Sequence, residues 1–438
     1  MTDAKTSGGM SPQLLKVAER AQRHPDQRLL ALAHLIDEAA LTRAYGRLRK
    51  AAAVGVDGVT VEAYGARLEE KVRALRERLK AGQYRHQPIR RVHIPKDDGR
   101  TRPIGISTTE DKVVQGALRE VLEAIYEQDF LDCSYGFRPG RSAHDAIRAF
   151  HRVVAQGAAH YILEADIVSV FDSLDRKRLL EMLRDRIADE SLLRLIGKCL
   201  HVGVLDGEEY AEPEVGTAQG SGLSPMLGNI YLHHVLDVWF EREVRPKLRG
   251  GSALVRFADD FVIAFETEED AVAVMAQLRQ RMGAYGLTLH PAKTRLLRFR
   301  PPTDPAGGKG SATFDFLGFT LHWQRTRRGK WRVGCRTRRA RLQRAIHRAA
   351  EWCRRHRHDP VKEQRVGLSR KLVGHYHYFG VNGNLPALRG LYFQVVRLWR
   401  KWLDRRSQNA RMTWKRFTEL LRANPLPQPR ITVRIWGA

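Results

Sequence analysis

Cysteine is scarce in this chain: four occur, at positions 133, 199, 335 and 353, and no two are spaced as C-x-x-C. That pattern excludes a disulfide framework and a zinc ribbon, and it predicts a reduced, cytoplasmic protein. The nearest thing to a metal-ligand cluster, Cys353-Arg354-Arg355-His356-Arg357-His358, is crowded with guanidiniums that would repel a divalent cation, so no zinc site is expected there. Long apolar runs are missing too. None approaches the roughly 20 residues of a membrane span, and Leu29-Leu30-Ala31-Leu32-Ala33 is too short and too closely flanked by polar residues for a signal peptide. No internal repeat is found. Acidic residues are nearly missing from one end: from residue 321 onward five Asp and Glu stand against 30 Lys and Arg. The last quarter therefore carries 25 of the 27 formal positive charges, and the first 320 residues are close to neutral.

The basic tail is dominated by Arg, as in Arg336-Thr337-Arg338-Arg339-Ala340-Arg341 and Trp399-Arg400-Lys401-Trp402-Leu403-Asp404-Arg405-Arg406, with Trp and Tyr interleaved. Arg pairs with phosphate bidentately and stacks on bases, while aromatic rings supply stacking surfaces. The segment reads as a nucleic-acid-gripping module, with Arg336, Arg338, Arg339, Arg341, Tyr378, Arg400, Lys401, Arg405 and Arg406 as its candidate contacts.

Two adjacent acids interrupt an apolar stretch at Phe257-Ala258-Asp259-Asp260, between Leu254-Val255 and Phe261-Val262-Ile263-Ala264-Phe265. The run predicts a strand pair turning in a tight hairpin whose tip is the acid pair. A carboxylate in such surroundings is costly unless a cation compensates it, most simply a metal ion. Upstream, Asp166 ends a second apolar strand, Tyr161-Ile162-Leu163-Glu164-Ala165-Asp166. One Asp from one strand and a pair from a neighbouring hairpin make the outline of a two-metal phosphoryl-transfer site. Lys96 and Arg102 flank an Asp98-Gly99 turn, so a hairpin would hang both cations over one place, suited to a triphosphate.

These motifs fall in an order that resembles bacterial group II intron reverse transcriptases, which are also intron maturases. The series runs through Gly55-Val56-Asp57-Gly58, Ile94 to Ile106, Tyr135-Gly136-Phe137-Arg138-Pro139-Gly140-Arg141-Ser142, the Asp166 strand and Gly216 to Pro225. It closes with Phe257 to Asp260, Gly286 to His290 with Lys293-Thr294, and Phe316-Leu317-Gly318-Phe319. The resemblance implies an α+β right-hand polymerase: fingers and palm of antiparallel sheet plus helices, then a helical thumb and a short basic C-terminal extension. It implies RNA-templated DNA synthesis with two Mg²⁺ ions (Mn²⁺ as a substitute) on Asp166, Asp259, Asp260 and the Ile167 carbonyl. Lys96, Arg102, Phe171, Gln219 and Lys293 would then meet the incoming dNTP, Phe171 closing on the sugar 2′ position. The partners implied are an RNA template, expected to be group II intron RNA, and a DNA primer or target. Val168-Ser169-Val170, Ala218, Ser221 and Phe257 depart from the family's usual residues without removing a metal ligand.

The expected organisation is an N-terminal helical extension with the start of the fingers over 1–90, fingers and palm over 91–322, thumb over 323–404 and a DNA-binding-like extension over 405–438. Helices are expected within 12–50, over 61–80, from Arg341 to Arg354 and from Ala387 to Asp404, and a flexible loop over Pro301 to Gly310. The Gly374-His375-Tyr376-His377-Tyr378-Phe379-Gly380 stretch resembles the family's thumb signature, and no HNH module is expected because no Cys pair follows residue 353. Two rival readings stay open: a maturase whose palm is slow or idle, and a reverse transcriptase recruited to defence or repair.

Overall fold

The computed structural model describes residues 9–95, 101–157, 159–212, 215–216, 220–302, 312–326, 328–407 and 411–436, the side chain of Arg102 excepted. Among the described residues, eleven strands make three sheets: β1 (Ile89–Pro95), β2 (Thr101–Ile106), β3 (Tyr161–Asp166), β4 (Val204–Asp206), β5 (Glu209–Ala211), β6 (Ser252–Phe257), β7 (Asp260–Phe265), β8 (Arg295–Arg298), β9 (Phe314–Phe316), β10 (Phe319–Arg325) and β11 (Trp331–Thr337). The sheet orders are β2-β1-β4-β5, β6-β7-β3-β8 and β11-β10-β9.

The palm sheet, β6-β7-β3-β8, is antiparallel throughout. Both of its faces are covered, which explains why β7 reads as a continuous apolar run rather than an alternating one. Phe261, Ile263 and Phe265 point into one core and Val262 and Ala264 into a second. Strand β3 divides the same way, Leu163 and Ala165 to the first core and Ile162 to the second. Each such fully buried Val, Leu, Ile or Phe side chain contributes roughly 2 kcal/mol through removal of apolar area from water, so a one-residue slip in register would be heavily penalised. Counting in twos from Ile162 and Val262 puts Asp166 and Asp260 on one common face. Register and chemistry are thus set by the same packing.

Behind the sheet, the Thr109–Asp129 and Ser224–Leu232 helices and the N-terminal helices share the first core with the strands. The Arg339–Arg355, Val361–Phe379 and Leu385–Asp404 helices form the thumb around a core of their own, with Trp399 fully buried and its Nε1 donating to Gln364 Oε1 at 2.8 Å. The 374–379 stretch that resembles the thumb signature is the last part of the Val361–Phe379 helix, whose C-cap is Gly380.

Residues after 405 do not stand apart. The Trp414–Ala423 helix inserts Phe417 into the thumb core, and the segment beyond runs back to the palm. Thr432 N–H donates to Gly380 O, Arg148 Nε donates to Arg434 O, and Ile435 joins the palm's second core. The loop expected over Pro301 to Gly310 lies outside the described residues from 303 on. No helix among the described residues is long and apolar enough to cross a membrane.

Candidate active site

Strands β6 and β7 are joined through Ala258-Asp259, with Phe257 paired to Asp260 across the base of the turn. The two acids therefore do not share the tip, as the sequence had suggested: Asp259 lies in the turn and Asp260 opens the strand. Ala258 has φ +58°, a conformation that costs any residue with a Cβ, so surrounding structure must impose it. Two contacts do so. Arg256 Nη1 donates to Ala258 O at 3.0 Å. On the other side Gly136 comes so close that a Cβ there would stand 2.4 Å from Ala258 N, which only glycine permits.

Arg256 is fully buried and every donor it has is occupied. Nε and Nη2 fork onto the two oxygens of Asp237 at 2.7 and 2.5 Å. Nη2 also reaches Ser134 Oγ at 2.8 Å, and Nη1 divides between Asn229 Oδ1 at 3.0 Å and Ala258 O. A bidentate, fully hydrogen-bonded guanidinium–carboxylate pair is the form in which two charges can be kept dry.

Asp166 pairs directly with Asp260 across β3 and β7, on the shared face predicted by the packing. Burial pushes the Asp260 carboxyl up to about 7, the Asp259 and Asp166 carboxylates add to the rise, and the Leu317 N–H opposes it. Asp166 Oδ2 is met by the Lys293 ammonium at 2.5 Å. One residue on, Asp166 O accepts from His290 N–H and Val168 N–H donates to Thr288 O, so the Ile167 N–H and C=O face the opposite way, toward β7.

A cavity of about 930 Å³ collects these groups. Asp166, Asp259, Asp260, Phe171 and Lys293 line it, and from the thumb side so do Arg338, Arg341 and Tyr378. Phe171 is seated because residue 228 is glycine: a Cβ there would stand 3.1 Å from the ring. Tyr378 donates its hydroxyl to Leu317 O at 2.8 Å, and Arg338 pairs with Asp315 at 2.9 Å.

Other expected contacts sit elsewhere. Arg336, Arg339, Lys401 and Arg405 are on the exposed surface. Arg400 stacks over Trp414 at 4.4 Å and donates to Met412 O, and Arg406 donates to Arg357 O and Asp359 O, so both brace the thumb. Lys96, Gln219 and the Arg102 side chain lie outside the described residues. The ends of the Gln219 loop are anchored: a Cβ on Gly220 would stand 2.4 Å from Gly105 O, and one on Gly216 2.7 Å from Asp172 O. Arg256 carries no prediction from the sequence and Leu317 enters it only within the Phe316-Leu317-Gly318-Phe319 motif, although a lone Arg in the apolar run Leu254-Val255-Arg256-Phe257 signals a buried partner by the same logic that singled out the acids.

As they stand, no three Asp, Glu, His or Cys side chains among the described residues gather closely enough to chelate one ion. The donor set still suits a hard divalent cation, since it is made of carboxylate oxygens without nitrogen or sulfur ligands. Its raised Asp260 carboxyl marks a place short of positive charge, and Asp166 already takes a cation, the Lys293 ammonium.

Residues 94–321 match the family described as Reverse transcriptase (RNA-dependent DNA polymerase). The chain belongs to the reverse transcriptase family. This reverse transcriptase is 32% identical over 352 residues to Protein YkfC of Escherichia coli (strain K12), covering 73% of this chain and 90% of that one. It is 37% identical over 224 residues to the Group II intron-encoded protein LtrA of Lactococcus lactis subsp. cremoris, spanning 49% of this chain and 37% of LtrA. It is also 29% identical over 350 residues to a 91 kDa protein in the cob intron of Schizosaccharomyces pombe, spanning 66% and 43%. Reverse transcriptases as a class work with divalent metal ions.

Proposed function

We propose that this reverse transcriptase copies RNA into DNA and also binds group II intron RNA, aiding splicing and mobility. The observation that carries the polymerase reading is Asp166 paired in register with Asp260, Asp259 one residue away, in a cavity that also contains Phe171. In this reading Asp166, Asp259, Asp260 and the Ile167 carbonyl hold two Mg²⁺ ions, or Mn²⁺ in their stead. Such ions supply the charge that acidifies a primer 3′-hydroxyl and steadies the departing pyrophosphate.

The chain's own groups orient the reactants. Lys96, Arg102 and Gln219 receive the triphosphate of a dNTP, and the Phe171 ring bounds its sugar. Lys293, 59% exposed and therefore free to swing, leaves Asp166 for the phosphates. The primer oxygen bonds to the α-phosphorus as the bond to pyrophosphate breaks. Arg338, Arg341 and Tyr378 line the thumb wall of the same cavity, where a primer–template backbone would pass, and Arg336, Arg339, Lys401 and Arg405 offer an outer surface for RNA. Residues 1–90, 91–322 and 323–404 serve as the finger approach, the fingers with palm, and the thumb, with 405–438 as a basic closing segment. The intron part of the proposal is supported by relatives whose names place them in introns, LtrA and the cob-intron protein among them, and by one named Nuclear intron maturase 2 in Arabidopsis thaliana.

Primer extension on an RNA template with Mg²⁺ tests the reading. Asp260→Asn is expected to lower the rate by roughly a thousandfold or more while RNA binding stays as in the wild type. Undiminished extension by that variant would refute it.

A further inference from the structure

A second cavity, of about 740 Å³, opens between the Ala143–Ala155 helix, strands β10 and β11 and the C-terminal segment, and it shares no lining residue with the catalytic cavity. Its walls are aromatic: Trp323, Trp331 and Trp436 all face it, with the His151 ring 5.0 Å from that of Trp436. Its charge is positive. Arg148, Arg152 and Arg332 line it against one carboxylate, Asp145, which Arg148 already holds at 2.6 Å. The Arg332 guanidinium lies 4.7 Å over the Trp436 ring, and no carboxylate among the described residues pairs with it.

Two donors in this lining have no acceptor among the described residues: Trp323 Nε1 and Arg332 Nε, both shielded from bulk water. A buried N–H left without a partner is unfavourable, and in a native fold it points to something that supplies the acceptor. Flat apolar walls ask for a planar ring, guanidiniums ask for phosphate, and the orphan donors ask for carbonyl or phosphate oxygens. We infer that this cavity holds an unstacked base and its adjoining phosphate from a single-stranded nucleic acid, away from the catalytic centre. On a chain that works on RNA, an RNA strand is the expected source. The inference rests on the nucleic-acid reading above for the identity of the strand, and not on the polymerase chemistry.

The test uses the full chain, a labelled single-stranded RNA oligonucleotide read by fluorescence anisotropy, and a DNA oligonucleotide of the same sequence in parallel. Trp331→Ala and Arg332→Gln are each expected to weaken RNA binding by about tenfold, while Trp331→Phe, which keeps a stacking face, retains most of it. Extension of a short preformed primer–template duplex should be unchanged in all three. Loss confined to RNA assigns the site to RNA, and equal loss on both strands assigns it to any single strand. Wild-type RNA binding by Trp331→Ala overturns the inference, and so does a Trp331→Phe variant as weak as Trp331→Ala. Competition by a free nucleoside monophosphate at the oligonucleotide's own concentration would overturn the strand and leave a soluble nucleotide. A chain that extends no primer yet loses RNA with Trp331→Ala fails only the polymerase reading. One that extends primers yet binds RNA unchanged fails only this inference.

Discussion

Arg256 has no donor left for a substrate, because all five N–H groups end on protein oxygens. It acts on the site by holding the Ala258 carbonyl, one residue before Asp259, and through its charge near the Asp259 carboxylate, and it is therefore a positioning residue. Arg256→Lys keeps a positive charge near Asp237 but loses the planar fork, so it should release the Ala258 turn. We expect its kcat for primer extension, per folded molecule as counted by active-site titration, to fall by roughly tenfold or more with KM for the template little changed. Arg256→Met would instead strand a buried carboxylate and cost about 3–5 kcal/mol in a urea melt. The three aspartates are legible in the sequence because a charge in an apolar run is costly, and that rule applies with equal force to Arg256. What hides the Arg is that its compensation comes from Asp237 and Asn229, inside a helical stretch whose own pattern gives no hint of strand contact.

At the scale of elements, the β9–β10 turn joins thumb to palm. Leu317 lends its N–H to the Asp260 carboxyl and its carbonyl to the Tyr378 hydroxyl, and with Gly318 it turns through positive φ values of +52° and +81°. A thumb helix thus bears on a candidate metal-holding acid through one intervening residue. Tyr378→Phe removes the hydroxyl and leaves the ring stacked 5.7 Å from Phe319, so it should cost only about 1 kcal/mol in stability. Its extension rate is expected to drop several-fold, with the equilibrium binding of RNA unmoved in the same anisotropy assay. β7 and the Arg339–Arg355 and Leu385–Asp404 helices were readable from periodicity, whereas Val361–Phe379, whose apolar residues do not line one clear face, was not. Contacts between turns were not, because Tyr378 reads as one more aromatic in a basic segment until the fold brings Leu317 beneath it.

For the molecule as a whole, charge and buried histidine set the response to solution conditions. Burial presses the His233 ring down to about 3, and neighbouring His234, Arg256, Arg242 and Arg138 act in the same direction; burial presses His375 to about 4. The unfolded chain binds these protons near pH 6.5 and the native one refuses them, so the histidines' contribution to stability is complete above that pH and declines as pH falls toward 4. His233 alone should account for a few kcal/mol of the decline. Thermal melts taken between pH 7.5 and pH 4.5 should show a steep fall that His233→Gln flattens. The concentration of positive charge after residue 321 was plain from composition, and it does lie on the thumb side. Composition could not say which arginines face outward: Arg405 does, whereas Arg406 turns inward to cap carbonyls of a neighbouring thumb loop.

The return of the C-terminal segment to the palm also bears on how the protein is made. Strand β3 leaves the ribosome early, yet the apolar layer beneath it is completed by Ile435, and the Gly380 carbonyl at the end of a thumb helix waits for Thr432 and Val433. A nascent chain can bury its first core during translation, but the second stays incomplete until Ile435 has emerged. Folding of the catalytic sheet is thereby coupled to residues more than 250 positions downstream of β3.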